Sequence, residues 1–350
     1  MHIIGIVGTA KNTGKTTTLA ALIEEAGRRG DRIGVTGIGY DGEEVDTVTG
    51  LPKPRLMLQR GTIVATAEQC LRTATAGYAV LAATEARTAL GAVVIVEITT
   101  PGLMVLAGPN TKRLLRSVIA SMEAQGLSAL FVDGSLNRIA AMSVVDTMVF
   151  TTGASRSTEI GFLSDEARSI CTVFTGRHCA CGPTVTGIEF RDAAGCIVGT
   201  LPMRSLFDAD DARQAVAAIT DAASWIVIEN MVTLDALEYL MLHGHAPQAA
   251  ERTIVLADPT IALLAGEPRA THRWMREAAA HRLSLGYRHA IRVAAMTVNP
   301  FYPAQHDHAF MPAYINKTLL LHAVREAVDV PVFNIRDDGA ASALYDRVLA

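Results

Sequence analysis

The residues whose types and spacing could do chemistry lie near the start of the chain, between a short apolar run and a helical pattern. Residues 8–16 read Gly-Thr-Ala-Lys-Asn-Thr-Gly-Lys-Thr and fit the pattern GxxxxGK[ST] at every specified position. The apolar run at 3–7 predicts a buried strand, and 16–23 predict the start of a helix. A strand, a glycine-bounded loop and a helix, in this order, are the context that a phosphate-binding loop needs.

Each residue type in such a loop has its own role. Gly8 and Gly14 allow the backbone to turn tightly and to aim its N–H groups at phosphate oxygens. The helix N-terminus adds partial positive charge, Lys15 is predicted to reach the β- and γ-phosphates, and the Thr16 hydroxyl is predicted to bind Mg²⁺. The predicted nucleotide-binding residues are Gly8, Thr9, Ala10, Lys11, Asn12, Thr13, Gly14, Lys15, Thr16 and Thr17.

A phosphate loop also needs an acidic partner for its metal ion. Asp133 ends the apolar run that starts at 127, and Glu97 ends the run that starts at 92. Either carboxylate could hold Mg²⁺ or orient a water molecule, while the alternative for each is a loop or helix cap. We favour Asp133 as the Mg²⁺ ligand beside Thr16, and Glu97 as the residue that positions water or substrate. Asp41 is a third candidate, with a surface turn as its equal alternative.

The nucleotide is predicted to be ATP rather than GTP. A GTPase normally carries an Asn/Thr-Lys-x-Asp tetrad, whose aspartate pairs with guanine. The segments 316–319 (Asn-Lys-Thr-Leu) and 111–114 (Thr-Lys-Arg-Leu) both lack that aspartate. The Asp-x-x-Gly switch follows neither acidic strand.

Composition narrows the class of protein. Half of the 350 residues are hydrophobic and the mean hydropathy is +0.27, which is typical of buried parallel strands. Apolar stretches such as 92–98 are far shorter than the ~20 residues that a membrane-spanning helix needs. Five scattered cysteines favour reduced cytosolic thiols, and a net charge of −4 gives no basic footprint for nucleic acid. With no visible signal peptide, a cytoplasmic location is expected, and a homo-oligomer is left open.

Alternating strand and helix patterns predict an α/β fold with a doubly wound, mostly parallel sheet. Three regions are expected: a nucleotide-binding domain at 1–153, a connecting helix with a small β-rich insertion at 154–205, and a second α/β domain at 206–350. The predicted helices lie at 16–29, 67–90 and 111–125, and the predicted strands at 3–7, 32–37, 92–97, 127–133, 146–150, 224–228, 253–256, 292–298 and 330–333.

Weaker candidates lie elsewhere in the chain. Cys179 and Cys181 could offer soft metal ligands, although a turn with small buried thiols is the favoured interpretation. Asn299 ends a strand and could face a ligand or simply form a turn with Pro300. Arg138 and Arg156 could contact phosphate, while surface ion pairs are the commoner fate of arginine. The segment 306–308 (His-Asp-His) is predicted to be a surface loop.

The loop at 8–16 resembles the GTxxxxGKT loop of dethiobiotin synthetase and its amidotransferase and cobyrinate-ligase relatives, within the P-loop class that includes the partitioning ATPases. It departs from the partitioning ATPases because Lys11 lies four residues before Lys15, where their signature lysine lies five before. Any dimer mechanism that depends on such a lysine is therefore not expected here.

A second resemblance covers more of the chain. The segments 11–18, 97–102 (Glu-Ile-Thr-Thr-Pro-Gly), 108–111 (Gly-Pro-Asn-Thr), 132–138 (Val-Asp-Gly-Ser-Leu-Asn-Arg) and 297–300 (Thr-Val-Asn-Pro) are similar to the ATP-binding reactivase subunit of lysine 5,6-aminomutase. This resemblance implies an ATP-driven chaperone that helps to eject damaged cobalamin from an adenosylcobalamin-dependent aminomutase. The aminomutase or a second reactivase subunit would be its partner. The resemblance also implies that Glu97, Asn110 and Asp133 line the nucleotide site.

Three functional hypotheses follow. The first is a Mg²⁺-dependent P-loop ATPase that acts on a protein partner, with Lys15, Glu97 and Asp133 as catalytic residues. The second is an ATP-dependent ligase or kinase acting on a small carboxylate, as in dethiobiotin synthetase. The third is a nucleotide-binding regulatory module with negligible turnover.

Overall fold

The computed structural model describes residues 1–39, 55–184, 187–244, 251–306 and 309–350. The strands are β1 His2–Gly8, β2 Ile33–Gly37, β3 Leu56–Leu58, β4 Ile63–Ala67, β5 Gly77–Thr88, β6 Gly91–Thr100, β7 Gly102–Met104, β8 Ala129–Ser135, β9 Thr147–Gly153, β10 Arg177–His178, β11 Ile188–Arg191, β12 Ile197–Leu201, β13 Trp225–Ile228, β14 Arg252–Leu256, β15 Leu283–Tyr287, β16 Arg292–Asn299, β17 Phe301–His306, β18 Ala309–Tyr314 and β19 Val332–Phe333. The α-helices are α1 Lys15–Arg29, α2 Glu68–Arg72, α3 Lys112–Glu123, α4 Ile160–Phe174, α5 Ala209–Ala218, α6 Leu234–His243, α7 Pro259–Ala265, α8 Pro268–Ala280, α9 Lys317–Ala327 and α10 Ala340–Leu349, and a 3-10 helix covers Leu136–Val144.

The described chain divides into two compact units, Met1–Ser164 with Arg292–Ala350, and Asp165–Ile291. In the first unit, nine strands of the described residues form one sheet in the order β19-β16-β9-β1-β8-β2-β4-β6-β5. Neighbouring strands from β19 to β4 run parallel, whereas β6 is antiparallel to both β4 and β5. This is the α/β class with a large, mostly parallel mixed sheet, as the strand and helix pattern predicts.

The core of the first unit lies between this sheet and its helices. Ile4 and Ile6 of β1 and Phe131 of β8 are completely buried, and Leu22 of α1 and Leu344 of α10 pack into the same cluster. Parallel strands that are covered on both faces need apolar side chains in both directions, which explains the continuous apolar runs of β1 and β8.

The C-terminal helix α10 contacts α1 through a network of charged and aromatic side chains. Arg29 pairs with Asp346 and lies over the Tyr345 ring at 4.8 Å, and the Tyr345 hydroxyl donates to Asp31 at 2.8 Å. Arg29 also donates to the buried carboxylate of Glu25 at 2.6 Å. These contacts attach α10 to α1, the helix that follows the motif at 8–16.

The second unit has its own sheet, with six strands of the described residues in the order β10-β15-β14-β13-β11-β12. Strands β10, β15, β14 and β13 run parallel, and β11 is antiparallel to both β13 and β12. The hairpin β11–β12 is therefore an edge of this sheet.

The compact units divide the chain elsewhere than at the predicted domain boundaries of 153 and 205. The segment from 292 onward is expected in the second α/β domain at 206–350, yet β16 pairs with β9 in the first unit. The β-rich part of 154–205 contributes β11 and β12 to the second unit's sheet. Local sequence patterns predict where strands lie but not which strands pair, because pairing depends on residues far apart in the chain.

One helix prediction is wrong. The segment 67–90 is expected to be helical, but only Glu68–Arg72 forms a helix, and Gly77–Thr88 is the long edge strand β5. The alanine-rich sequence favours a helix locally, whereas pairing with β6 supplies the backbone hydrogen bonds of a strand. None of the described helices combines the length and apolar character needed to cross a bilayer.

Acid should weaken the contact between the end of α1 and its buried carboxylate. Hydrogen bonding from Arg28 and Arg29 lowers the pKa of Glu25 to about 2 against the opposing effect of burial. The ordinary value of 4.5 applies in the unfolded chain, so the stabilisation is complete above about pH 4.5 and is lost as the pH falls towards 2. We expect Glu25→Gln to lower the free energy of unfolding at pH 7 by about 1–3 kcal/mol.

Urea unfolding of the wild type and Glu25→Gln between pH 7 and pH 3 would measure this effect. The difference between the two proteins should shrink as the pH falls below 4.5. Glu24→Gln, at the exposed neighbouring position, is the matched control and should show little difference at any pH. A Glu25 difference that is independent of pH would contradict the prediction.

Candidate functional site

The motif at 8–16 lies between the end of β1 and the start of α1, at the carboxyl edge of the parallel strands. Gly14 precedes the helix with φ of 97°, a conformation that favours glycine, and no side chain caps the first turn. The N–H groups of that turn have no partner within the helix, and the turn contains no acidic residue. This helix end is therefore suited to bind an anion.

The loop folds back over the end of β1. A Cβ atom on Gly8 would lie 3.1 Å from the Thr13 hydroxyl and 3.2 Å from the Ala10 carbonyl oxygen. The Thr13 hydroxyl donates to that same carbonyl at 2.9 Å. The first glycine of the motif therefore allows a close approach of loop and strand.

Threonines of β9 hold the loop from one side. The Thr9 N–H donates to the Thr151 carbonyl at 3.0 Å, and its hydroxyl donates to Thr152 at 3.3 Å. The Thr151 hydroxyl donates to the Thr13 hydroxyl at 3.0 Å, because the single Thr13 proton is donated to the Ala10 carbonyl. All four side chains are buried, so these bonds form away from competing water.

The end of β16 holds the loop and α1 from a second direction. The hydroxyls of Thr18 and Thr297 are 3.0 Å apart, and both side chains are buried. The Asn299 amide donates to the Asn12 carbonyl at 2.8 Å, and the Ser155 hydroxyl is 3.4 Å from the same oxygen. Asn12 has φ of 61°, and these two donors hold the carbonyl of this left-handed residue.

Lys15 and Asp133 form an ion pair at the start of α1. Strand β8 is the direct neighbour of β1, and Asp133 is opposite Ile6 in their register. The Lys15 Nζ is 3.1 Å from the Asp133 Oδ1, and about a quarter of each side chain is exposed, 27% and 24%. Burial raises the pKa of Asp133 above its usual range, and the Lys15 cation opposes that shift.

The structure does not bring Glu97 to this place. Glu97 lies opposite Ile63 at the start of β4, and its carboxylate pairs with Arg32 at 3.2 Å. Following the register, Glu97 is level with Leu130, three residues before Asp133, which is about 10 Å along the strands. It is also three strands away, about 14 Å. Because β6 runs antiparallel, its carboxyl end is at the opposite edge of the sheet, and Glu97 is corrected from a site residue to a surface ion pair.

The other predicted polar residues are spread around the same edge. Arg138 donates to the Ile38 carbonyl at 3.1 Å, just after β2. Asn110 is exposed and follows Gly108, whose carbonyl accepts the Gly39 N–H at 3.1 Å. The Arg156 guanidinium lies over the Phe162 ring at 5.4 Å.

Asp41 lies outside the described residues, as do the Asp and the second His of 306–308.

The segment that contains Cys179 and Cys181 lies in the second unit and is hydrogen-bonded to the end of β15 and the residue after it. Cys179 is 2% exposed and its N–H donates to the Tyr287 carbonyl at 2.8 Å. The Cys181 carbonyl accepts from Arg288 at 3.2 Å, and burial raises the pKa of both thiols. Among the described residues no group of three or more His, Cys, Asp or Glu side chains could hold a metal ion. Cys179 is thus a buried thiol and Cys181 a half-buried one.

Sequence reasoning missed the threonines that hold the loop. Thr151, Thr152 and Thr297 each contact the loop or α1 through hydroxyl groups. The signal was present, because each threonine interrupts or ends an apolar strand where polar side chains are unexpected. Assigning them a role required knowing that β9 and β16 lie beside β1.

Comparisons with protein-family models, with curated proteins and with solved structures find no match for this chain. The helix N-terminus of the site suits an anion, Lys15 adds a positive charge, and Asp133 and Thr16 offer the hard oxygen donors that Mg²⁺ prefers. Together they fit a phosphate group accompanied by a divalent cation.

The contact between Gly14 and Asn299 yields a stability prediction. A Cβ on Gly14 would lie 3.3 Å from the Asn299 Cβ, whereas one on Gly30 would meet nothing within 4 Å. Both glycines have positive φ and flank the same helix, so Gly30→Ala is the matched control. We expect Gly30→Ala to lower the free energy of unfolding by about 1 kcal/mol. Gly14→Ala should lower it by at least about 1 kcal/mol more, because the loop must also move away from β16.

Chemical denaturation of the two variants beside the wild type would measure the difference. Equal losses for Gly14→Ala and Gly30→Ala would mean that the contact with Asn299 does not restrain the loop.

Proposed function

We propose that this chain binds ATP with Mg²⁺ at residues 8–17 and hydrolyses it to drive a change in a protein partner. The observation that carries the proposal is the Lys15–Asp133 ion pair at the N-terminus of α1. The pair joins a cation at the start of α1 to a carboxylate on β8, the strand beside β1, and this supports one group for phosphate and one for metal.

The two charges serve different ligands in the proposed complex. Lys15 and the first-turn N–H groups would hold phosphate oxygens, while the Thr16 hydroxyl and the Asp133 carboxylate would hold Mg²⁺. When bound, Mg²⁺ supplies a Lewis acid that withdraws charge from the γ-phosphoryl group. Lys15 pairs with Asp133 in the free protein, and the metal would replace Lys15 as the cation beside this carboxylate when Lys15 binds phosphate.

The threonine contacts support a loop that is already shaped before the nucleotide arrives. Five hydrogen bonds join the loop or α1 to β9 and β16 in the free chain. A preorganised loop loses less conformational entropy on binding, which favours affinity for phosphate.

A protein partner is favoured by the exposed edge of the first unit's sheet. Strand β5 pairs only with β6 among the described strands, and it exposes Tyr78, Val80 and Leu81 by 38%, 61% and 39%. Apolar side chains along an unpaired strand edge are typical of a binding surface. The resemblance to an aminomutase reactivase names an adenosylcobalamin-dependent aminomutase as the partner to test.

The acidic residues provide a sharp test of the site. We expect Asp133→Asn to lower Mg²⁺-dependent ATP turnover by about 100-fold or more, as Lys15→Ala should, because Asp133 would hold the Mg²⁺ and Lys15 the phosphate oxygens, and both contacts stabilise the transferred phosphoryl group. Glu97→Gln is the matched control and should retain turnover, because its exposed ion pair with Arg32 contributes at most about 1 kcal/mol to stability. Phosphate release would be measured with ATP and with GTP.

The outcome that contradicts the site is loss of turnover in Glu97→Gln with normal turnover in Asp133→Asn. Circular dichroism of each variant would establish that the fold is retained.

A second test separates the functional hypotheses by what stimulates turnover. We expect ATP hydrolysis to rise when an adenosylcobalamin-dependent aminomutase is added, and the rise to disappear in Lys15→Ala. The same assay with a panel of small carboxylates tests the ligase or kinase alternative. Turnover coupled one-to-one to a carboxylate would overturn the chaperone proposal. Tight nucleotide binding without turnover in any mixture would favour the regulatory module.

A further inference from the structure

An aromatic hairpin begins two residues after the loop's contact with β16. Strands β17 and β18 form a two-stranded sheet of their own, in which Phe301 pairs with Tyr314, Pro303 with Pro312 and Gln305 with Phe310. Side chains two residues apart on a strand share a face. Among the described residues, one face of the hairpin therefore carries three aromatic side chains, two prolines and the uncharged Gln305, and we call these six residues the aromatic strip.

The strip is open to solvent rather than packed in a core. Tyr314 is 68% exposed and Phe310 is 37% exposed. The Tyr314 and Phe301 rings meet edge to face, with centroids 5.7 Å apart. A hairpin of two strands is marginally stable by itself in water, so apolar side chains displayed on its surface indicate a ligand.

The end of the strip that carries Phe301 and Tyr314 is joined to the phosphate loop through two side chains, Ser155 and Asn299. The Ser155 hydroxyl is 3.1 Å from the Phe301 carbonyl and 3.4 Å from the Asn12 carbonyl of the loop. Asn299 bonds to that same Asn12 carbonyl, and its side-chain oxygen accepts the Phe301 N–H at 3.2 Å. The strip is therefore continuous with the loop, on the side of β9 and β16.

We propose that the exposed ring of Tyr314, supported edge-on by Phe301, is the stacking platform for the base of the nucleotide held at the loop. This inference rests on the proposed function, because the phosphates must lie at α1 for the base to reach the hairpin. A flat, exposed aromatic ring suits the π-face of a purine, and stacking of this kind tolerates different bases. The hairpin thus supplies affinity for the nucleoside and does not choose between adenine and guanine.

The test compares ligands with and without a base. Calorimetric titrations with Mg²⁺ would measure the dissociation constants of ATP, GTP and inorganic tripolyphosphate for the wild type, Tyr314→Ala and Tyr314→Phe. We expect Tyr314→Ala to weaken the binding of ATP and GTP by roughly 5- to 100-fold and to leave the affinity for tripolyphosphate unchanged. Tyr314→Phe keeps the ring and should bind all three ligands as the wild type does.

Met311→Ala is the matched control, because Met311 is 56% exposed on the opposite face of the same hairpin. It should leave all three affinities unchanged. Tyr314→Trp adds an optical reading: its fluorescence should be quenched by ATP and not by tripolyphosphate.

Three results would overturn the platform. The first is normal ATP binding by Tyr314→Ala, and the second is an equal loss for ATP and tripolyphosphate, which would indicate a distorted loop. In the third, Met311→Ala weakens the binding of ATP and GTP as much as Tyr314→Ala does, which would mean that the aromatic strip acts only by stabilising the hairpin. Failure of the proposed function would give a different result. In that case Lys15→Ala would not change the binding of ATP or of tripolyphosphate, because the nucleotide would not be held at the loop.

Discussion

Four neighbouring parallel strands, β8, β1, β9 and β16, end at nearly the same level, and the candidate site depends on that alignment. Gly8 is level with Ser135 on one side and with Thr151 on the other, and Asn299 is level with Gly153 in the next pair. Carboxyl ends of parallel strands meet at one edge of a sheet, which is where α/β proteins bind ligands. A shift of register in any pair would move the polar side chains away from the loop.

Because of this alignment, the two sides of the loop contribute different groups to the site. On one side β8 delivers Asp133 to Lys15, which gives the site its charges. On the other side β9 and β16 deliver hydroxyl and amide groups that hold the loop and the start of α1. The second group carries no formal charge, so it can fix the backbone without competing with phosphate for the lysine. The aromatic strip extends from that same side.

Part of the fold could be predicted because it depends on patterns of residues that are close together in the sequence. The run before Gly8 and the helix after it are both present within a residue or two of expectation, and the run ending at Asp133 is a strand. Glu97 shows the limit, since its apolar run is also a strand, but the direction of that strand is set by a hairpin with β5. The sequence at 77–88 favours a helix by composition, and so the hairpin and the direction of β6 could not be seen from it.

What the sequence determined by itself is the loop: glycines at both ends, a lysine and a threonine at the helix start, and the strand before them. These features are local, because the turn, the helix start and the apolar run each depend on residues that are adjacent in the chain. Only the tertiary structure decided which acid faces Lys15, and that 292–350 returns to the first unit with Asn299 beside the loop. Those outcomes depend on pairing between strands more than a hundred residues apart, where burial of whole faces outweighs local preference.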